Sequence, residues 1–318
     1  MEPFRWAYVG SGSIAGNTAR NITKGNHLIR AVYSRNAIKA EAFAKKYGAQ
    51  AYPDFNGLLD SGGFDGVYIA TPHTAHLEYA LMAIEAGYPV LCEKPVGVSA
   101  EQAERMIGAS REHGVYFSEA MWTWFSDLAY TVKGWTDEGR IGEIANVEIE
   151  YAFPGVMMSK NSRLLTPQTA GGALLDIGVY PITYCYRLFG YPRTVACTGT
   201  IKDGIDVEET VTLGYDGFSC RLDISLTKLG ERCKITGTEG TIHIPVFHMA
   251  RTASLKTAGG RETARGKTDY LTEFTRAAEE IRQGATQSAY VPHEATLHCL
   301  QIMDECRKQM GLRYPFEA

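Results

Sequence analysis

The sequence predicts an α/β protein with two domains, the first built on a doubly wound parallel sheet and the second on a largely antiparallel one. In the first third of the chain, short apolar runs alternate with helix-like segments, as in parallel strands joined by helices. From residue 192 onward, strand-like runs follow one another across short polar turns, which indicates antiparallel pairing. We place the domains at 1–121 and 122–318.

Composition narrows the class of protein. The 318 residues suffice for two domains, and 45% apolar with 21% charged residues is ordinary for a globular chain. A net charge of −4 gives no support to nucleic acid or an acidic membrane as partner. No signal peptide or membrane span is recognisable, and the seven scattered cysteines favour reduced thiols without a zinc site. We therefore expect a cytoplasmic protein that holds no metal.

Five strand-like runs of the first domain define its sheet: RWAYVG, LIRAVYSR, FDGVYIATP, PVLCEKP and VYFSEA. The helix after the fourth run begins with the capping-box pair Ser99 and Gln102 and ends at Gly114. Ligands of doubly wound sheets bind at the carboxyl ends of the strands. Thr71-Pro72 and Glu93-Lys94-Pro95 follow such ends, so we expect their side chains to face a ligand.

A dinucleotide-binding pattern follows the first strand, with the spacing Gly10-x-Gly12-x-x-Ala15. Gly10 would form the tight turn, and Gly12 would let a pyrophosphate approach the backbone at the helix start, where Ser13 and Ile14 stand. A glycine pair by itself often makes only a turn. Here a strand precedes it and a helix and a second strand follow, which favours a nucleotide site.

The end of the second strand indicates which nucleotide is bound. NAD-preferring sites usually place an acidic residue there for the ribose 2′-hydroxyl, whereas this chain has Ser34-Arg35-Asn36. A hydroxyl and a guanidinium suit a 2′-phosphate, so we predict NADP(H), with NAD(H) as the alternative. The competing interpretation is a solvated surface arginine.

The second domain combines helices with the strand-like runs. Helices are predicted near 127–139, over the glycine-interrupted segment 169–190, and near 269–283 and 292–311. A long strand is predicted within 142–154. Further strands are predicted at 192–203, 206–216, 218–227, 232–237 and 240–247.

Asp176 and Tyr180 interrupt an apolar helical pattern and, four residues apart, lie on one face. A buried aspartate and a buried tyrosine hydroxyl both need partners. From these residues alone, a structural hydrogen bond and a functional site are equally good interpretations. Trp122 and Phe153 suit the wall of a substrate site as well as a core, whereas Trp124 and Phe125 are predicted to be core residues. Arg163 is predicted to contact the substrate or a cofactor phosphate, with a surface arginine as the alternative.

Several ordered motifs resemble the glucose–fructose oxidoreductase / inositol dehydrogenase / MocA family along essentially the whole chain. They are Gly10-Ser11-Gly12, ATPHTAH, CEKP and GGALLDIGVYP, and the last of these together with EAMWTWF is most similar to the dihydrodiol and D-xylose dehydrogenase branch. The resemblance implies an N-terminal Rossmann domain and a C-terminal α/β domain with an open, largely antiparallel sheet. That sheet implies a homodimer or a larger even-numbered homo-oligomer.

The resemblance also assigns roles to single residues. Lys94 is the catalytic-site lysine, His76 lies near the nicotinamide, and Asp176 and Tyr180 fill the later motif, where many members carry histidine in place of Tyr180. The predicted cofactor contacts are Gly10, Gly12, Ser13, Ile14, Ser34, Arg35, Thr71, Pro72, His76, Glu93 and Lys94. The predicted substrate contacts are Trp122, Phe153, Arg163, Asp176 and Tyr180.

These residues predict hydride transfer between a nicotinamide and a secondary alcohol or ketone of a small sugar, polyol or trans-dihydrodiol. Tyr180 would exchange the substrate proton, Lys94 would stabilise the negative oxygen, and Asp176 would orient a substrate hydroxyl or the lysine. Two alternatives remain: a glycosidase of this fold that oxidises its substrate transiently, and a nucleotide-sensing regulator without activity.

Overall fold

A computed structural model describes residues 2–158 and 162–317 of the chain. These residues fall into two compact units, one of Met1–Trp122 with Asp269–Thr296 and the other of Thr123–Thr268 with Leu297–Ala318. The first unit holds a six-stranded sheet and the second an eight-stranded sheet, so the predicted α/β class is confirmed.

The secondary structure of the described residues is as follows. The strands are β1 Phe4–Val9, β2 His27–Tyr33, β3 Gln50–Tyr52, β4 Gly66–Ile69, β5 Val90–Glu93, β6 Phe117–Ala120, β7 Ile144–Ala152, β8 Thr194–Lys202, β9 Ile205–Gly214, β10 Ser219–Ser225, β11 Gly230–Gly237, β12 Gly240–Ile244, β13 Thr252–Thr257 and β14 Gly260–Arg265. The α-helices are α1 Ser13–Ile22, α2 Ala37–Tyr47, α3 Phe55–Ser61, α4 His76–Glu85, α5 Ala100–His113, α6 Asp127–Asp137, α7 Val179–Phe189, α8 Tyr270–Arg282 and α9 His293–Met310.

The sheet of the first unit is parallel throughout, with strand order β3-β2-β1-β4-β5-β6. The five predicted strands are all present. The edge strand β3 was not predicted, because three partly exposed residues make too short a pattern to recognise. The switch in strand order at β1 and β4 puts the ends of these strands where doubly wound sheets bind their ligands.

Helix α8 belongs to the core of the first unit, although the sequence places it in the second domain. Its Phe274 is fully buried and meets the rings of Trp6 and Tyr68 edge-on, with centroid distances of 5.0 and 4.8 Å. Edge-to-face pairs of this kind add to the stabilisation from burial itself. The first unit therefore takes part of its core from residues far along the chain.

The predicted ends of α5 are confirmed with one change in the capping contacts. Ser99 Oγ accepts a hydrogen bond from Gln102 N at 3.4 Å, and Gly114 closes the helix in the left-handed conformation with φ 64°. In a capping box, the Gln102 side chain would accept a hydrogen bond from the backbone N–H of Ser99. Here it accepts from Val98 N at 3.0 Å, one residue earlier.

The sheet of the second unit has the order β14-β13-β12-β11-β7-β10-β9-β8. Its pairs are antiparallel except β7 with β10, which is parallel. The hairpin β13–β14 was not predicted. β14 is exposed at nearly every position and lacks the apolar alternation by which strands are recognised.

One face of this second sheet carries polar side chains on its central strands. Arg221 pairs with Asp223 at 2.8 Å, and Arg232 pairs with Glu150 at 3.1 Å across β7 and β11. Exposed pairs of this kind contribute little stability. Because these charged side chains are exposed, this open face of the sheet is compatible with water. The predicted oligomer stays a prediction.

Two further properties concern the whole described chain. None of the helices within residues 2–158 and 162–317 is long and apolar enough to cross a membrane. The seven cysteines are buried free thiols.

Candidate functional site

A cavity of about 200 Å³ opens at the carboxyl edge of the parallel sheet in the first unit. Its lining comes from the ends of β1, β2 and β4, the start of α2 and one residue of α4. The lining residues are Val9, Gly10, Ser11, Tyr33, Ser34, Arg35, Asn36, Lys39, Ala70, Thr71, Pro72 and Tyr79. Five of the predicted cofactor contacts are among these residues. Two cations and several hydroxyls make this a suitable environment for a phosphate.

The turn after β1 requires glycine at position 10. Gly10 has φ 109°, and a Cβ there would lie 2.5 Å from the carbonyl oxygen of Ala70. Gly12 is the N-cap of α1, supplies no side-chain cap, and faces open space. Ser13 and Ile14 begin the helix, and Ala15 is buried against the sheet. The amides of the first helical turn are thus left for an anionic ligand, as the dinucleotide pattern requires.

Lys39 lines the cavity but was not singled out from the sequence. Asn36 caps α2 by accepting a hydrogen bond from Lys39 N at 3.0 Å, which places the lysine one turn into the helix. Arg35 and Lys39 are both exposed and both reach the cavity. The Asn36 N-cap directly after Ser34-Arg35 is the signal that could have indicated this second cation.

His76 bridges two loops at the same edge of the sheet. Its Nε2 lies 2.9 Å from the carbonyl oxygen of Thr71, and its Nδ1 lies 3.0 Å from that of Pro95. The ring is fully buried. It therefore joins the segment after β4 to the segment after Lys94. The Thr71 hydroxyl next to it has no hydrogen-bond partner within the described residues, so it is available to a ligand.

Lys94 follows β5, is partly buried, and lies close to a cluster of buried carboxyl groups. The cluster consists of the side chains of Glu93, Glu119 and Glu273. Glu93 accepts a hydrogen bond from the Tyr68 hydroxyl, and Glu119 accepts from Val96 N at 3.3 Å and from Thr296 Oγ1 at 3.0 Å. Burial raises the pKa of Glu119 to about 7, although these hydrogen bonds and the charge of Lys94 act in the opposite direction. Burial and the charges of Glu93 and Glu119 raise the pKa of Glu273 well above its usual value.

Stability should depend on the protonation of Glu119. Because folding raises its pKa from 4.5 to about 7, its contribution is complete below pH 4.5 and is lost as the pH rises through 7. The loss is on the order of 3 kcal/mol, since one pKa unit corresponds to about 1.4 kcal/mol. Glu119→Gln should flatten the decline in melting temperature between pH 5 and 8. Glu101→Gln, at an exposed position on α5, is the control and should leave it unchanged. An unaltered decline in Glu119→Gln would contradict this assignment.

In the second unit, the predicted substrate residues Arg163 and Asp176 form an ion pair. Arg163 Nη2 lies 2.7 Å from Asp176 Oδ1, and the side chains are 43% and 17% exposed. The pair satisfies one carboxylate oxygen of Asp176. Tyr180, four residues further on, is buried and is surrounded by the rings of Tyr151 and His248, at centroid distances of 5.9 and 5.5 Å.

The segment that carries Asp176 and Tyr180 is one helix with an irregular start. The turn Leu174–Gly178 is π-helical and continues directly into α7. The glycine-interrupted sequence pattern predicted a helix here but did not indicate this wider π-helical turn. Asp206 is fully buried and accepts a hydrogen bond from Leu174 N at the beginning of this turn. Gly172, with φ 133°, passes so close that a Cβ there would overlap Asp206 Oδ1. Asp206 therefore fixes where this helix begins.

A second carboxyl group lies beside Asp206. Glu209 is buried, and burial together with the negative charge of Asp206 raises its pKa well above the usual range. Burial also raises the pKa of Asp206, although the hydrogen bond from the Leu174 backbone acts to lower this pKa. The pair is stable when Glu209 keeps its proton, so Asp206 remains the acceptor for the helix start.

Comparison with known proteins agrees with the architecture and the motifs. Residues 4–121 match the family described as "Oxidoreductase family, NAD-binding Rossmann fold", and residues 130–243 match the "GFO/IDH/MocA C-terminal domain". The scyllo-inositol 2-dehydrogenase (NADP(+)) of Bacillus subtilis is 33% identical over 299 residues, which cover 90% of each chain. The chain belongs to the GFO/IDH/MocA oxidoreductase family. The resemblance seen in the sequence is thereby confirmed.

Other members of the GFO/IDH/MocA family are similar along almost their whole length. The trans-1,2-dihydrobenzene-1,2-diol dehydrogenase of Danio rerio is 29% identical and covers 98% of both chains. A 3-ketoreductase from Actinomadura kijaniata, solved with NADP and TDP-benzene, superposes with a TM-score of 0.89 at 22% identity, over 97% of this chain and 98% of that one. At that identity the superposition shows the shared fold.

Within this family member, the predicted site residues lie in both units. The first unit contains all the predicted cofactor contacts, including Lys94. It also contains Trp122, whose ring packs on the Tyr270 ring at a centroid distance of 4.7 Å. The second unit contains Arg163, Asp176 and Tyr180, together with Phe153, which follows β7 and is 41% exposed. Trp124 and Phe125 are buried, as predicted for core residues.

The residues of these surroundings that were not singled out from the sequence include Lys39, Tyr151, Asp206 and His248. No group of three or more His, Cys, Asp and Glu side chains within the described ranges is arranged to hold a metal ion.

Proposed function

We propose that this chain is an NADP(H)-dependent oxidoreductase that transfers a hydride to or from a secondary alcohol or ketone of a small sugar, polyol or trans-dihydrodiol. The observation that carries the proposal is the cavity beside Gly10, which Ser34, Arg35 and Lys39 line with a hydroxyl and two cations. Among the described residues, no acidic side chain lines this cavity, and a carboxylate is what an NAD-type ribose contact would need. The NADP(+) named for the Bacillus subtilis relative supports the same choice.

The residues of this chain fit the nicotinamide nucleotide. Gly10 and Gly12 leave the start of α1 open to a pyrophosphate. The Thr71 hydroxyl, which has no hydrogen-bond partner among the described residues, lies at the same edge of the sheet. The bound nicotinamide supplies or accepts the hydride. We assign the binding of the 2′-phosphate to Ser34, Arg35 and Lys39, and the placing of the loops after β4 and β5 to His76.

The proton chemistry is assigned to Lys94, Asp176 and Tyr180. Tyr180 exchanges a proton with the substrate oxygen, and Lys94 stabilises negative charge on that oxygen or on the phenolate. Asp176, held by Arg163, orients a substrate hydroxyl. The names of the inositol and dihydrodiol dehydrogenases support a substrate with neighbouring hydroxyl groups. Phe153, exposed at the end of β7, is proposed to contact the apolar face of the substrate, and Trp122 is proposed as a further substrate contact.

The choice of cofactor is tested by Arg35→Asp. A lost charge-assisted contact costs about 1.5–3 kcal/mol, so the affinity for NADP(H) should fall at least about tenfold while that for NAD(H) holds or improves. Calorimetric titration of each nucleotide measures both constants. Arg30→Asp, at an exposed position on β2 outside the cavity, is the matched control. An unchanged ratio of the two dissociation constants in Arg35→Asp would rule out Arg35 as the 2′-phosphate contact.

The substrate class is tested by a screen of inositols, pentoses, hexoses and dihydrodiols, following absorbance of the reduced nicotinamide with each cofactor. Steady oxidation of a polyol with NADP⁺ supports the proposal. Turnover of a glycoside with a nicotinamide that remains oxidised would identify the glycosidase instead. Nucleotide binding without turnover of any compound would favour the regulator.

Assembly and location complete the proposal. We infer a homodimer or larger even-numbered oligomer that associates through the open face of the second sheet, to be measured by light scattering. We also infer a cytoplasmic location, which the seven buried free thiols support.

A further inference from the structure

Three side chains of the second unit form a continuous hydrogen-bonded line next to Tyr180. Tyr151 on β7 and Glu231 on β11 are directly opposite in the antiparallel register. His248, in the segment after β12, connects them. Its Nδ1 lies 2.8 Å from Glu231 Oε1, and its Nε2 lies 3.2 Å from the Tyr151 hydroxyl. The order is Glu231, His248, Tyr151.

The contacts of Glu231 determine where the histidine proton lies. Glu231 Oε1 accepts from His248 N at 2.8 Å and from His248 Nδ1 at 2.8 Å. A carboxylate only accepts, so the Nδ1 atom carries a hydrogen. In the neutral ring Nε2 is then an acceptor, and the Tyr151 hydroxyl donates to it. His248 thus accepts a hydrogen bond from the Tyr151 phenol, as the histidine of a catalytic triad accepts one from the serine hydroxyl.

The line is shielded and lies against the proposed acid–base residue. The side chains of His248 and Glu231 are only 15% and 13% exposed. The Tyr180 ring is 5.5 Å from the His248 ring and 5.9 Å from the Tyr151 ring, measured between centroids. Among the described residues, the titratable groups that face His248 include Glu231 from β11, Tyr151 from β7 and Tyr180 from α7.

We propose that Tyr151, His248 and Glu231 form a proton relay that serves Tyr180. This inference rests on the proposed function, in which Tyr180 takes the proton of the substrate alcohol. Tyr180 is only 8% exposed, so a proton that it receives needs a path outward. His248 Nε2 takes the Tyr151 proton, and the Tyr151 oxygen takes the Tyr180 proton, directly or across one water. The imidazolium, held by Glu231, then releases its Nε2 proton to solvent, which restores the starting state in charge and protons.

The hydrogen-bond order is tested without turnover by two-bond ¹H–¹⁵N spectra of the histidine rings. We expect the Nδ1–H tautomer of His248 in the wild-type protein near neutral pH. In Glu231→Gln the amide should accept from His248 N and donate to Nδ1, which switches His248 to the Nε2–H tautomer. A wild-type Nε2–H tautomer would overturn the relay.

Kinetics test whether the relay acts in the reaction. Tyr151→Phe and Glu231→Gln should each lower kcat about tenfold or more with little change in KM, and should shift the pH profile of kcat. A residue that only supports the fold would lower the melting temperature and leave the pH profile in place. That outcome would overturn the proposal.

Chemical rescue separates a lost base from a lost contact. In His248→Ala, added imidazole should restore turnover at least tenfold, whereas pyrazole, a much weaker base of the same shape, should not. Equal rescue by both compounds, or by neither in a variant with a normal melting temperature, would contradict a proton-transfer role. His243→Ala, an exposed histidine on β12, is the matched control and should behave as wild type.

The relay and the proposed function can fail independently. If the wild-type protein oxidises or reduces none of the compounds in the screen, the proposed function is wrong. The tautomer spectra then still decide the order of the relay: the Nδ1–H form supports it, and the Nε2–H form overturns it.

Discussion

Tyr180→Phe is expected to lower turnover about 10²–10⁴-fold, the usual contribution of general acid–base catalysis, while nucleotide affinity remains within a few-fold of wild type. The substitution removes one oxygen and keeps the ring that packs against Tyr151 and His248. Packing is therefore preserved, and the effect reports on the hydroxyl. Steady-state kinetics and nucleotide titration on the same samples measure both quantities.

The matched control is Tyr184→Phe, one turn further along α7. Tyr184 is also buried, with its ring against Phe247 at a centroid distance of 5.5 Å. It should change stability without a comparable loss of turnover. If Tyr180→Phe retains near-normal turnover and only melts earlier, the tyrosine is a structural residue and the proton must come from another group.

Lys94→Met should cost at least as much turnover as Tyr180→Phe, because it removes the cation that stabilises negative oxygen. The double variant tests whether the two residues act together. Residues that act as a unit lose most of their effect at the first substitution, so the double variant should be little slower than the worse single one. Multiplied losses would indicate independent roles.

Gly172→Ala should cause the largest loss of stability among single-methyl additions to the second unit. The added Cβ would overlap Asp206 Oδ1, and φ 133° is strained for any residue with a side chain. Asp206 can move away only by giving up its hydrogen bond with Leu174 N. Overpacking and backbone strain together cost about 3 kcal/mol or more, which corresponds to a decrease in melting temperature of about 10 °C.

The same methyl group added to α6 should have the opposite effect. Gly134 lies inside this helix, and a Cβ there meets no atom within 4 Å. Gly134→Ala should therefore stabilise by about 0.5–1 kcal/mol, the usual difference in helix propensity. Equal melting temperatures for the two variants would show that Asp206 does not constrain the helix start.

The parts of the site that were predictable depend on neighbours in the chain. Gly10 and Gly12 were recognised by their spacing, Ser34 and Arg35 by their place after an apolar run, and Lys94 by its motif. Strand ends and helix starts are local properties, so a sequence pattern contains them. The parallel sheet followed from the same local alternation.

The parts that were missed depend on distant partners. Asp206 meets Leu174 across 32 residues, and His248 meets Tyr151 across 97. Such pairs exist only once the register of the second sheet is set, and one-residue shifts in register would separate them. The parallel pairing of β10 with β7 is likewise a property of topology, which adjacent runs and turns do not reveal.

The return of α8 to the core of the first unit has a consequence for synthesis of the protein on the ribosome. When residue 122 has emerged, Trp6 and Tyr68 still lack the Phe274 ring that covers them in the finished structure. At roughly 5–20 residues per second, that ring becomes available only many seconds later, after most of the second unit has been made. We therefore infer that the nascent first unit exposes this aromatic surface throughout the interval.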